Sequence, residues 1–156
     1  DNWRFIVVVP DNLVRRIAEM RERHEDEIIA GLRKAPPEFS DSLSRIVLMK
    51  ILPSFIERDL RGFIQGLWQL NSKLGDFWTA YQGSRYCCTE VEKGIELLAR
   101  LAGGACQSSW GPTFYTIVDE DRAEEVRREM EKFVKEIGGG KVFCVRANNR
   151  GAVVHG

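Results

Sequence analysis

The chain has 156 residues, and its 23 basic and 23 acidic side chains cancel to a formal net charge of zero and a pI near 6.9; it is long enough to bury a core without disulfides. Balanced charge gives no electrostatic reason to expect nucleic acid or an anionic membrane as partner. No apolar run approaches the ~18 residues that span a bilayer and no secretory leader pattern is visible, so a cytoplasmic protein is expected.

The chain opens on Asp1 and enters a strand almost at once, which suggests a segment of a longer protein. Trp3-Arg4-Phe5-Ile6-Val7-Val8-Val9 is aromatic and β-branched with a single charge, the pattern of a central strand covered on both faces, and Pro10 ends it. Over 12–34, apolar residues recur at Leu13, Ile17, Met20, Ile28 and Leu32, the three-to-four spacing of one amphipathic helix. His24 shares that stripe but stands among Arg23, Glu25 and Asp26, the surroundings of a solvated side chain. Ala35-Pro36-Pro37 breaks the helix, and Ser40 or Asp41 is placed to cap the next one. Its Leu43, Ile46, Val47, Met49, Ile51 and Leu52 suggest burial on several sides before Pro53 stops it.

Asp59 begins a long helix with the stripe Leu60, Phe63, Ile64, Leu67, Leu70, Leu74, Phe77, Trp78 and Tyr81. Aromatic residues at this spacing normally face a core, although Trp68 and Trp78 also offer a ligand platform. Gly83 suits the left-handed residue that ends a helix. In the polar loop that follows, Arg85 reads either as a surface ion pair or as a planar fork for a carboxylate or phosphate. Thr89 and Glu92 have the spacing of a capping box ahead of Val91, Ile95, Leu98 and Leu101, and Gly103 closes that helix. A last helix over 121–137 carries Ala123, Val126, Met130, Phe133, Val134 and Ile137, with Glu124–Arg128 and Glu131–Lys135 pairs on a wet face. Strands are expected over 104–107, 113–118 and 141–147, the last two joined through this helix as a split β-α-β element. The pattern predicts an α+β sandwich with a largely antiparallel four-stranded sheet and helices on one face.

Between the second and third strands, Gln107-Ser108-Ser109-Trp110-Gly111-Pro112 is a polar turn. Successive turn amides form an anion-binding concavity, and Gln107, Ser108 and Ser109 add side chains able to hydrogen-bond a phosphate or carboxylate. An ordinary hairpin turn is the competing reading. The four cysteines, Cys87, Cys88, Cys106 and Cys144, have neither C-x-x-C spacing nor a neighbouring His, so zinc-ligand spacing is absent and reduced thiols are expected. A Cys106–Cys144 disulfide is the pairing that neighbouring strands would allow.

Gly-Gly-Ala-Cys-Gln-Ser-Ser-Trp-Gly-Pro-Thr-Phe-Tyr, over 103–115, resembles the C-terminal motif of the archaeal β-ribofuranosylaminobenzene 5'-phosphate synthases of the GHMP kinase superfamily. The likeness extends to 3–10 and to Tyr81-Gln82-Gly83-Ser84-Arg85-Tyr86. The kinases carry a Gly-Ala-Gly-x-Gly-Gly loop at this place, and Cys106, Ser108 and Ser109 stand where glycines would be, which points to the synthase branch. The resemblance implies that 1–156 form the single ferredoxin-like C-terminal domain of a longer two-domain enzyme, whose N-terminal half carries a phosphate loop. It implies a synthase that joins phosphoribosyl pyrophosphate to 4-aminobenzoate, or to 4-hydroxybenzoate, releasing pyrophosphate and carbon dioxide on the route to methanopterin. Magnesium is expected to neutralise the pyrophosphate in the full-length enzyme. Gln107, Ser108, Ser109 and Gly111, with Gln82, are then expected to bind phosphate, Trp110 to wall the aromatic ring and Arg85 to meet a carboxylate.

No catalytic constellation is legible in the residues themselves: both histidines are isolated, and there is no nucleophile elbow, H-E-x-x-H or telling carboxylate pair. An ATP-dependent small-molecule kinase and a non-catalytic ferredoxin-like binding or dimerisation module are the alternatives. This chain alone is expected to have no turnover. The first strand and the helix bearing Trp68 and Trp78 are expected to expose apolar surface that pairs two copies into a homodimer.

Overall fold

The computed structural model describes residues 2–21 and 25–152, and its sheet is built around β1 (Trp3–Val9). β1 pairs antiparallel with β3 (Phe114–Asp119), placing Phe5 opposite Ile117, and on its other side with β4 (Lys141–Val145), placing Phe5 opposite Val145. The two-residue β2 (Cys106–Gln107) lies beyond β3, giving the order β2-β3-β1-β4. β3 and β4 are joined through α7 (Glu120–Glu136) with β1 between them, the split element the sequence predicts. The fold is α+β with a four-stranded antiparallel sheet, as expected.

Alternation along β1 decides what each face meets. Arg4, Ile6 and Val8 are buried, whereas Trp3, Phe5, Val7 and Val9 are half-buried. Ile6 and Val8, with Phe114 and Val118, face a core closed by Val91, Ile95 and Leu98 of α6 (Thr89–Ala102) and by Val126, Met130 and Val134 of α7. The charge at Arg4 is met by Glu120, which also takes Arg146 at 3.3 Å. On the opposite face Trp3 stacks on Phe63 of α5 (Leu60–Gln82) at 5.3 Å and meets Phe55 of α4 (Leu52–Ile56) edge-on. Thus α6 and α7 hold the expected face, and the start of α5 reaches the other.

Several local expectations are corrected. The single helix over 12–34 is two, α1 (Asp11–Arg21) and α2 (Glu25–Ala30). Leu13 and Ile17 are buried, but the sequence from Arg21 to Glu27 offers no apolar side chain to continue the stripe, and Ile29 and Leu32 are exposed. His24, and the second histidine His155, lie outside the described residues. α3 (Pro37–Ile46) starts on Pro37, with Pro36 as its cap and no side-chain cap bond, so neither Ser40 nor Asp41 caps it. Proline suits the first turn because its missing N–H would have no intrahelical acceptor there.

Pro53 does not stop the helix that follows. A π-helical turn over Val47–Ile51 lets Leu52 N–H reach Val47 O, and α4 continues with Pro53 in its own first turn. The wider turn takes up the break that a proline imposes on an α-helical ladder. This segment is not buried on several sides: Leu48, Met49 and Ile56 are 61%, 72% and 76% exposed, and Leu52 and Phe55 are exposed as well. Among the described residues the exposed apolar surface therefore lies here, on Val14, Ile29 and Leu32, and on Phe143 and Val145, and not on β1 or on Trp68 and Trp78, which are half-buried or better covered.

Asp59 caps α5 as expected, its Oδ1 accepting from Gly62 N–H at 3.0 Å, and Gly83 and Gly103 end α5 and α6 with φ of 83° and 86°. The Thr89 capping box does not form, because Thr89 is already helical and Cys88 is the cap. On α7 the Glu124–Arg128 pair is present, while Glu131 takes Arg127 instead of Lys135. Cys106 and Cys144 sit on opposite edge strands, so β3 and β1 separate them and no disulfide joins them. Among the described residues no helix is long and apolar enough to cross a membrane.

Candidate functional site

One face of α5 carries Asn71, Leu74, Gly75, Trp78 and Gln82, spaced by three, one, three and four, and this stripe meets the turn after β2. Between them is a cavity of about 270 Å3, completed by Arg85, Tyr86, Gln107, Ser109 and Trp110. The chain beyond α5 can cross the helix closely because Gly75 has no side chain: a Cβ there would lie 2.5 Å from Arg85 O. Trp78 and Trp110 pack on each other, ring centroids 4.7 Å apart, and form one aromatic wall.

Gln107 is the hinge of the turn. It is 7% exposed, and all of its polar groups are engaged. Its N–H donates to Asn71 Oδ1 at 2.9 Å, and its carbonyl accepts from Asn71 Nδ2 at 3.0 Å. Its carboxamide accepts from Cys87 N–H at 2.8 Å and donates to Ser109 O at 3.0 Å. Ser108 N–H donates to Thr113 O and Gly111 N–H to Ser108 O, both at 2.8 Å. The expectation that the turn offers its amides to an anion is therefore corrected for Gln107, Ser108 and Gly111, whose N–H groups hold the turn together. Ser109 adopts a left-handed φ of 50°, and both Ser108 and Ser109 are exposed at the rim. The Gly111–Pro112 peptide is cis.

Arg85 combines both readings given to it. Its Nε donates to Asp76 Oδ1 at 2.6 Å, an exposed ion pair that raises the guanidinium pKa, and the residue also lines the cavity. Gln82 Nε2 donates to Arg85 O at 3.0 Å and fixes the segment that carries it. Five of the seven residues singled out in the sequence, Gln82, Arg85, Gln107, Ser109 and Trp110, come together here; Ser108 and Gly111 are not in the lining. Asn71, Leu74, Gly75 and Tyr86 were not anticipated. The lining brings one guanidinium, Arg85, together with the carboxamides of Asn71, Gln82 and Gln107, the hydroxyls of Ser109 and Tyr86 and the two tryptophans, a set suited to binding a planar anion.

The sequence profile described as GHMP kinases C terminal matches residues 51–136, from the π-helical turn to the end of α7. The chain belongs to that family. As a GHMP kinase C-terminal domain it is also similar, at 27% identity over 161 residues, to "Beta-ribofuranosylphenol 5'-phosphate synthase" of Methanothermobacter thermautotrophicus, with 97% of this chain and 43% of that protein aligned. A protein of the same name from Archaeoglobus fulgidus is 27% identical over 154 residues, covering 98% of this chain and 45% of its own length. These matches bear out the resemblance to the archaeal synthases. The chain spans less than half the length of these relatives. Among the described residues of this GHMP kinase C-terminal domain, no three His, Cys, Asp or Glu side chains gather as a metal site.

Proposed function

We propose that the chain is the C-terminal domain of a cytoplasmic synthase that joins phosphoribosyl pyrophosphate to 4-aminobenzoate or 4-hydroxybenzoate in methanopterin biosynthesis, with an N-terminal half supplying the main phosphate loop. The ring carbon bearing the carboxylate attacks the ribosyl carbon, pyrophosphate leaves, and carbon dioxide departs from the same ring carbon. The observation that carries this reading is the convergence of Gln82, Arg85, Gln107, Ser109 and Trp110 on one cavity, in a chain whose two relatives bear a synthase's name.

Size and charge favour the aromatic acid as the occupant. At about 270 Å3 the cavity falls just below the ~300–1,000 Å3 of drug-sized sites and suits a single ring. Arg85 is the one cation among the described lining residues, and it already faces Asp76, too little charge for a ligand with three phosphoryl groups. The Trp78–Trp110 wall takes the ring face, and Arg85, with both Nη groups left after its bond to Asp76, meets the carboxylate. The phosphates extend over the rim to the Ser108 and Ser109 hydroxyls. This donor set does not fit magnesium: it offers a guanidinium, neutral amides and the hydroxyls of Ser109 and Tyr86, and no carboxylate. The reading includes a homodimer, which sedimentation of the full-length protein would reveal.

The test is turnover by the full-length protein with phosphoribosyl pyrophosphate and each aromatic acid, beside ATP and hydroxyl acceptors. Ribosylated arene and released carbon dioxide are expected, and none from residues 1–156 alone. Ser108→Ala or Ser109→Ala removes one hydrogen bond to a charged phosphate, about 1.5–3 kcal/mol, and is expected to lower phosphoribosyl pyrophosphate use about tenfold or more with little change in melting temperature. ATP-dependent phosphorylation without ribosyl transfer would replace this reading with that of a kinase.

A further inference from the structure

Cys87 and Cys88 lie immediately behind the cavity wall, and the synthase reading gives them no role. Their sulfurs are 3.8 Å apart, with the Cys87 thiol donating to Cys88. Cys88 is the half-buried cap of α6, with Glu90 and Arg16 facing it. Cys87 is tied to the turn in two ways. Its N–H donates to Gln107 Oε1 at 2.8 Å, and its sulfur is so close to Gly111 that a Cβ on that residue would lie 2.6 Å from it.

We propose that Cys87 and Cys88 are a dithiol modification site for low-molecular-weight disulfides, and that oxidising it withdraws the support of Gln107 and Gly111 from the cavity wall. The regulated site is the one assigned above, so the functional meaning rests on that reading. The Cys88 thiolate attacks one sulfur of the small disulfide, whose S–S bond breaks and whose other half leaves as a thiolate and takes up a proton. Cys87, after losing its proton to solvent, attacks the Cys88 sulfur of the mixed disulfide and expels the second small thiol. Two protein thiols are oxidised, and one small disulfide is reduced to two thiols. The bridge requires the sulfurs to close from 3.8 Å to about 2.05 Å, and because the two residues are adjacent it closes an eight-membered ring whose Cα separation, about 3.8 Å, is shorter than that of an ordinary disulfide; the strain falls on the Cys87–Cys88 peptide and on the Cys87 N–H bond to Gln107.

Cys88 is suited to attack first. The hydrogen bond from Cys87 and the Val91 N–H favour its thiolate, against burial and Glu90, and bring its pKa down to about 7. Cys106 is the opposite case, its thiol pushed up to about 12 by burial. At neutral pH the larger thiolate fraction outweighs the lower intrinsic nucleophilicity, so Cys88 should react about fivefold faster than a thiol of ordinary pKa.

The experiment treats the 156-residue chain with oxidised glutathione at pH 7 and reads intact mass, peptide mapping and amide hydrogen exchange. The peptide carrying Cys87 and Cys88 should lose two hydrogens without retaining glutathione, whereas the exposed Cys144 is free to keep one. Cys87→Ser should retain one glutathione on Cys88, and Cys88→Ser should retain far less. Exchange of the Gln107, Ser108 and Gly111 amides should rise about tenfold in the bridged chain and return on reduction. Stable glutathionylation of Cys87 or Cys88 in wild type, or bridging with unchanged amide exchange, would overturn the proposal, and the wild-type measurements decide it even if a serine variant fails to fold; glutathione on the exposed Cys144 is mapped separately. None of these readouts uses a substrate, so a full-length protein without ribosyl transfer would refute the functional reading and leave this result standing.

Discussion

Phe114→Ala should destabilise the chain by about 3–5 kcal/mol and lower its melting temperature by roughly 6–20 °C. Phe114 is fully buried on β3, its ring edge-on to Phe133 at 6.4 Å. Gly94 of α6 leaves the space its ring occupies, since a Cβ there would run into the ring carbons of Phe114. Cavity formation adds to the lost transfer free energy. Phe143 provides the control: it is the same residue type on exposed edge strand β4, and Phe143→Ala should stay within about 0.5 kcal/mol. Similar melting of the two variants would mean that the sheet does not present Phe114 to α6 and α7.

Asn71→Ala is expected to cost about 2–4 kcal/mol, because it strands both the N–H and the carbonyl of a buried Gln107. The damage should concentrate at the turn. Amide exchange should rise through Gln107 and Ser108 while the β1–β3 ladder keeps its protection, a pattern that separates a local anchor from a general packing residue. Ser108→Ala, at the exposed rim, is the neutral comparison. A wild-type melting curve for Asn71→Ala would remove Asn71 as the link between α5 and the turn.

The three longer strands were legible from the sequence because they are β-branched and aromatic runs with a glycine or proline near one end, and Trp3–Val9 reads as central because, Arg4 apart, it is apolar on both faces. The site was legible only on one side. The turn's Gln-Ser-Ser-Trp-Gly composition drew attention to it, whereas its α5 partners are hidden in a helix whose larger apolar stripe reads as core. The overlooked signal was a second stripe, Asn71, Leu74, Gly75, Trp78 and Gln82, with a glycine in mid-helix where only close approach of another segment justifies one. The fate of Gln107 was not legible, because its four partners come from Asn71, Cys87 and Ser109 and depend on how α5 and α6 flank the turn. Pro53 misled for a similar reason: whether a proline ends a helix or is taken up by a π-turn is decided by hydrogen-bond register along the whole segment. That Cys106 and Cys144 lie on opposite edges, as free thiols, follows from strand order, which no local pattern encodes.

The position of β1 has a consequence for synthesis. Val8 pairs with Phe114 and Phe5 with Val145, so the strand at the centre of the sheet leaves the ribosome long before either neighbour exists. At about 5–20 residues per second it waits roughly 5–20 seconds for β3 and longer for β4. During that interval Phe-Ile-Val-Val-Val is an unpaired segment of high β-propensity without charge or proline, the composition that nucleates intermolecular strands. The yield of folded protein thus depends on keeping nascent chains apart until the second half of the domain has been made.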